Sequence, residues 1–127
     1  MAGELESAAN AFVAAIDSLD EKRIMEFVAQ DVQSVDEVSR QWLRGHEAVQ
    51  RYIARLVAAV SVVNTELRDA EERLWGDTGL LTCWIDQSYT IDGNPQQISA
   101  PTTLVFRHEG GVWKLALFHS IPLPEEP

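Results

Sequence analysis

Apolar positions in the first half of the chain recur with the spacing of a helix. Leu5, Ala8, Ala9, Phe12, Ile16 and Leu19 fall on one side of a 3.6-residue repeat, which predicts an amphipathic helix over about residues 5–18. Asp20 then stands as an N-cap ahead of Glu21, and Ile24, Phe27 and Val28 form the next apolar face, so a second, shorter helix completes a helical hairpin. Between residues 32 and 38 apolar and polar positions are mixed. Ser39-Arg40 precedes Gln41-Trp42-Leu43, and this pattern predicts a short β-hairpin. Gly45 is placed to start a third helix, because Val49, Tyr52, Ile53, Leu56, Val57 and Val60 resume helical spacing.

Beyond Val62 the character changes. Gly76-Asp77-Thr78-Gly79, Asp92-Gly93-Asn94-Pro95 and Gly110-Gly111 punctuate runs rich in Thr, Val, Ile, Tyr, Phe and Trp, which are residues that suit a pleated, half-buried surface. Four antiparallel strands are predicted, at about residues 65–75, 80–91, 97–108 and 112–121, joined as a meander. The last strand has no polar face. Trp113, Leu115, Leu117 and Ile121 lie on one side, Ala116 and Phe118 on the other, and helices can cover only one of them. A second copy of the chain is the expected cover, giving a homodimer through the sheet; the alternative is a few apolar residues scattered singly on a wet face.

The 127 residues are expected to form one domain spanning 1–127, with an irregular tail from Pro122, and to bury a core without staples. Twenty acidic against ten basic residues give a net charge of −10. That balance repels phosphate backbones and anionic membrane surfaces, so neither nucleic acid nor membrane is expected as a partner. The single cysteine, Cys83, sits in an apolar stretch and reads as a small buried hydrophobe in a reducing, cytoplasmic compartment. The acidic N-terminal stretch lacks the features of a signal peptide.

A family resemblance rests on two segments. Trp42-Leu43-Arg44-Gly45-His46-Glu47-Ala48 precedes the third helix, and Thr103-Leu104-Val105-Phe106-Arg107-His108-Glu109-Gly110-Gly111-Val112-Trp113-Lys114-Leu115 is followed by Phe118-His119-Ser120. This ending resembles the SnoaL-like pattern of a Thr, an apolar strand, a Gly turn, a Trp-Lys pair and a terminal His-Ser. The resemblance to the NTF2-like superfamily implies an α+β, cystatin-like cone in which three N-terminal helices pack on a strongly curved, mainly antiparallel sheet. It does not imply one activity, because the superfamily includes isomerases, dehydratases, epoxide hydrolases, polyketide cyclases, transport factors and oligomerisation domains.

Residues 79–120 also resemble the association domain of calmodulin-dependent kinases, and this second likeness implies a register. Pocket arginines of that family fall on Trp84, Leu104 and Ser120. By period-two alternation the pocket face then presents Thr82, Trp84, Asp86, Thr102, Leu104, Phe106, Ala116, Phe118 and Ser120. Trp113, Leu115, Leu117 and His119 form the dimer side. None of the arginines is retained, which implies an apolar, aromatic pocket.

On that register Asp86 is the first candidate for chemistry. A carboxylate beside Trp84 and opposite Leu104 would lose hydration and gain a raised pKa, fitting it as a general acid or base. The bland alternative is a solvated Asp86 near the rim, or one paired with an arginine. Tyr52, on the apolar face of the third helix, is a candidate donor to a developing oxyanion, or a core tyrosine with a satisfied hydroxyl. Trp84, Thr102, Leu104, Phe118 and Ser120 are the expected ligand-binding residues; their hydroxyls lack an adjacent base and would orient a ligand only. Asp36 and Glu37, in the hairpin near the cone mouth, are a second carboxylate source, or, as the preferred reading, an exposed turn. His46, His108 and His119 have no paired spacing for a metal, and His119 enters the pocket only if the register slips by one. No metal or other cofactor is expected.

Two readings follow. One is a cofactor-independent isomerase, dehydratase or cyclase acting on a small uncharged hydrophobic molecule through Asp86. The other is a non-catalytic small-ligand-binding or dimerisation domain.

Overall fold

The computed structural model describes residues 3–36 and 39–121. Glu37, Val38 and the expected irregular tail lie outside the described residues. Helix α1 spans Glu4–Ser18, α2 Glu21–Met25 and α3 His46–Ala59; the strands are β1 Val28–Asp36, β2 Gln41–Arg44, β3 Val60–Trp75, β4 Thr78–Ile91, β5 Asn94–Glu109 and β6 Val112–Ser120. The six strands form one curved sheet in the order β2-β1-β6-β5-β4-β3. The fold is α+β, as expected, and the short hairpin expected ahead of the third helix is β1–β2, so the three helices are not all N-terminal to the sheet.

Local signals account for most element starts. Glu4 and Glu6 lie in the first turn of α1, where negative charge complements the helix dipole. The Asp20 carboxylate accepts from the Arg23 backbone N–H at 3.2 Å, capping α2. Gly45 precedes α3 with φ 92°, a backbone conformation open to glycine because it has no Cβ. Helix α2 is shorter than its apolar pattern implied: Val28 belongs to β1, and β1 runs parallel to β6. That pairing joins segments some eighty residues apart, and periodicity carries no information about it.

The strand β3 is sixteen residues long. Its pairing with β4 shifts between Ser61 and Asn64 and again between Arg68 and Glu71, around Val62 and Asp69, which have φ values of 52° and 57°. Such bulges bend a strand and increase its twist, and α1 packs in the resulting concavity, against β3 and β4.

The core lies between α1 and the concave face. Leu5, Ala9, Phe12 and Val13 meet Leu81, Cys83, Ile85, Leu104, Phe106 and Leu115, and each large side chain fully withdrawn from water contributes roughly 1.5–3 kcal/mol. Gly79 belongs to this contact. A Cβ there would stand 2.6 Å from Leu5 Cδ1, so the helix reaches the sheet only because that position lacks a side chain.

Candidate functional site

Which residues face the concave side is set by the turns. Ile91 pairs with Asn94 across Asp92-Gly93, and both turn residues have positive φ, 51° and 76°, as a two-residue type I′ turn requires. A two-residue turn pairs positions of opposite parity. Hence Leu81, Cys83 and Ile85 stand opposite Leu104, Thr102 and Ala100, and all six are buried. The odd positions of β4 face inward, and the expected register of that strand is off by one.

Asp86 and Trp84 therefore lie on the outer face, contrary to the placement implied by the kinase-association likeness. Arg68 Nε donates to Asp86 Oδ2 at 2.8 Å and Nη2 to Oδ1 at 3.2 Å, while the Ser99 hydroxyl makes a short hydrogen bond to the same carboxylate. The Arg68 guanidinium also sits 5.1 Å from the Trp84 ring centroid. The bonds from Arg68, and secondarily from Ser99, hold the Asp86 carboxyl down at about 2. That is opposite in direction to the shift a general acid or base needs at neutral pH.

On β5 and β6 the expectation fares differently. Thr102, Leu104 and Phe106 do face inward. The β6 register shifts where Val105 pairs with Leu117 and Phe106 with Leu115, so a bulge at Ala116 turns both Leu115 and Phe118 toward the helices. Trp113, assigned above to the dimer side with Leu115, also packs against the core and donates to Glu4 Oε2 at 3.2 Å. His119 lies on the outer surface with Thr82, Trp84 and Thr103, 6.0 Å from Trp42 ring to ring.

Between the three helices and the concave sheet is a cavity of about 290 Å³. Its wall is mostly apolar, with Phe12, Ile16, Val57, Ile85 and Phe118 from four different elements. Its polar residues are Ser34, Tyr52, Thr65, Gln87, Tyr89 and Ser120, and among the described residues lining it there is no Asp, Glu, Lys, Arg or His. Of the residues singled out from sequence, Tyr52, Phe118 and Ser120 line the cavity. Thr102 lies behind Ser120, their hydroxyl oxygens 2.9 Å apart. Leu104 is fully buried in the core.

Thr65, Gln87, Tyr89 and Ser34 were not singled out. The signal for Gln87 and Tyr89 was present: once Thr102 and Leu104 are taken as inward, Asp92-Gly93 as a two-residue turn assigns the odd positions of β4 to the same face. Thr65 is held by α1. Its backbone N–H donates to Asp17 Oδ2 at 3.0 Å, its hydroxyl donates to Asp17 Oδ1 at 2.7 Å, and Gln87 Nε2 donates to the Thr65 hydroxyl at 2.9 Å.

Cys83 is buried; burial, with a smaller contribution from the charge of Glu6, pushes its thiol up to about 11, far from a thiolate nucleophile. Among the described residues no three His, Cys, Asp or Glu side chains are grouped to hold a metal, and no helix is long and apolar enough to cross a membrane.

Solved structures share this architecture. A provisionally assigned dehydratase of the NTF2-like family from Streptomyces avermitilis is 24% identical, with a TM-score of 0.87 over 96% of this chain and 95% of that one. A ketosteroid isomerase-like protein from Erwinia carotovora atroseptica is 14% identical, with a TM-score of 0.81 over 96% and 95%. The CaMKII hub of S. rosetta is 19% identical, with a TM-score of 0.79 over 97% and 99%. At these identities the likeness concerns the fold. No curated protein matches the chain. The SnoaL-like domain profile matches residues 5–124, nearly the whole length, and the chain belongs to the SnoaL-like family of the NTF2-like superfamily.

Proposed function

We propose that the protein binds a small, uncharged, largely apolar molecule inside the cone. The observation that carries this reading is the 290 Å³ cavity whose described lining is apolar apart from six neutral polar residues. An ionic ligand would lose its hydration there without a counter-charge, whereas an apolar one of fitting shape gains contact and loses water. Proton transfer by Asp86 has no support, since its carboxylate is bound to Arg68 on the outer face. Isomerase, dehydratase or cyclase chemistry in this cone would rest on Tyr52 or Tyr89 holding a substrate oxygen.

The test is ligand-observed NMR with neutral aromatic and terpenoid compounds against the wild type and Val57→Trp, which fills the cavity from α3. Binding that disappears in a folded Val57→Trp variant supports the reading. Unchanged binding would place the ligand elsewhere and reject it.

We also infer that the sheet pairs with a second copy of the chain. Leu80, Trp84, Pro101, Val105 and Leu117 lie half-buried on the outer side, flanked by Trp42 and Ile121, which are 50% and 55% exposed. These apolar rows, parted by Thr82, Thr103 and His119, give the outer side more apolar surface than a solvated face needs. The similarity to a kinase hub domain is compatible with assembly through this fold.

A further inference from the structure

The cavity has a hydrogen-bonding polarity that its composition conceals. Its serine and threonine side chains are able to donate, yet their protons are directed into the protein, as is one of the two Gln87 amide protons. Ser34 Oγ donates to the Phe118 carbonyl at 3.0 Å. Thr65 Oγ1 donates to Asp17 Oδ1 at 2.7 Å, and a carboxylate is an acceptor only. The Thr65 oxygen must then accept from Gln87, which it does from Nε2 at 2.9 Å. This fixes the amide orientation, turning the nitrogen toward Thr65 and leaving Oε1 on the other prong.

Ser120 follows the same logic. Thr102 Oγ1 is 3.1 Å from the Ala100 carbonyl and 2.9 Å from Ser120 Oγ. Both bonds form together only if Thr102 donates to Ala100 and Ser120 donates to Thr102. That arrangement leaves Ser120 with lone pairs alone. Tyr89 carries a hydroxyl, a group able to donate or accept, so it does not set the polarity.

We propose that the cavity selects ligands that donate hydrogen bonds, that is, neutral alcohols or phenols on an apolar frame, over ligands of the same shape that only accept. This rests on the binding reading above. Gln87 is the principal specificity residue, and Asp17 acts through Thr65 as a positioning residue: it fixes which end of the Gln87 amide is available.

Three probes of nearly equal size separate the possibilities: 2-naphthol, which donates; quinoline, neutral at pH 7.5, which only accepts; and 2-methylnaphthalene, which does neither. Dissociation constants by NMR titration are expected to favour 2-naphthol over quinoline by tenfold or more. In Thr65→Val the amide is released and can present its NH₂ group, so that ratio should fall at least threefold while 2-methylnaphthalene binding stays within twofold. Gln87→Leu should weaken 2-naphthol and spare 2-methylnaphthalene, which covers the case of a Thr65→Val protein that does not fold. Quinoline binding as tightly as 2-naphthol overturns the proposal but leaves the binding reading intact. If none of the probes binds at millimolar concentration, the binding reading fails and takes the proposal with it.

Discussion

Cys83 stands opposite Thr102 across β4 and β5, both buried, and this pairing places Asp86, three residues further along β4, on the outer face beside Arg68. Asp86→Asn is therefore expected to leave the affinity of any cavity ligand within about twofold. Its effect should appear instead in acid. The folded-state pKa of Asp86, about 2, lies below the unfolded value of roughly 3.9, so its contribution to stability is complete above about pH 4 and is lost as pH falls toward 2. Urea midpoints measured between pH 7 and pH 2.5 should fall less steeply in Asp86→Asn than in the wild type. Parallel curves would show that the Arg68 pair contributes nothing.

Leu117 lies on the outer side of β6, next to Phe118, which faces the cavity. Leu117→Asp places a charge in the apolar outer face while leaving the inner one intact. Sedimentation at micromolar concentration is expected to give a dimer mass for the wild type and a monomer mass for the variant. A monomeric wild type rejects the sheet-mediated dimer.

Gly79 and Leu5 share one space. With a Cβ at position 79 only 2.6 Å from Leu5 Cδ1, Gly79→Ala overfills a packed contact and should destabilise by about 1–3 kcal/mol. Leu5→Ala alone leaves a cavity and should cost about 2–5 kcal/mol. In the double variant the two changes compensate in part. A double-mutant cycle on denaturation midpoints should give a coupling energy above about 0.5 kcal/mol, and strict additivity would contradict the contact.

Asp17 accepts both the backbone N–H and the hydroxyl of Thr65, so Asp17→Ala leaves two half-buried donors without their partner. A loss of about 1–3 kcal/mol is expected. Amide hydrogen exchange at Thr65 should accelerate by at least tenfold, and an unchanged rate there would show that the carboxylate does not hold β3 to α1.

Much of the fold was legible in the chain because its signals are local. The spacing of Leu5, Ala9 and Phe12, the Asp20 cap, Gly45 before α3 and the glycine turns each act within a few residues, and the helices and the meander form where those signals lie. The site was less legible. A one-residue error in the register of β4 exchanged Trp84 and Asp86 for Ile85 and Gln87, since alternate side chains point to opposite faces. The Asp92-Gly93 turn held the correction, because its two-residue length dictates the parity of the pairing.

Other features had no local signal. The parallel pairing of β1 with β6, the bulge that turns Leu115 and Phe118 to the same side, and the direction of each hydroxyl proton depend on contacts between residues distant in sequence. By itself the sequence determined the helices, the strands and an apolar interior, because periodicity and turn chemistry are short-range properties. Tertiary structure alone decided that Asp86 meets Arg68 outside the cone, and that Asp17 meets Thr65 and Gln87 at its wall. A side chain's hydrogen-bond partner is fixed only when the chain closes on itself.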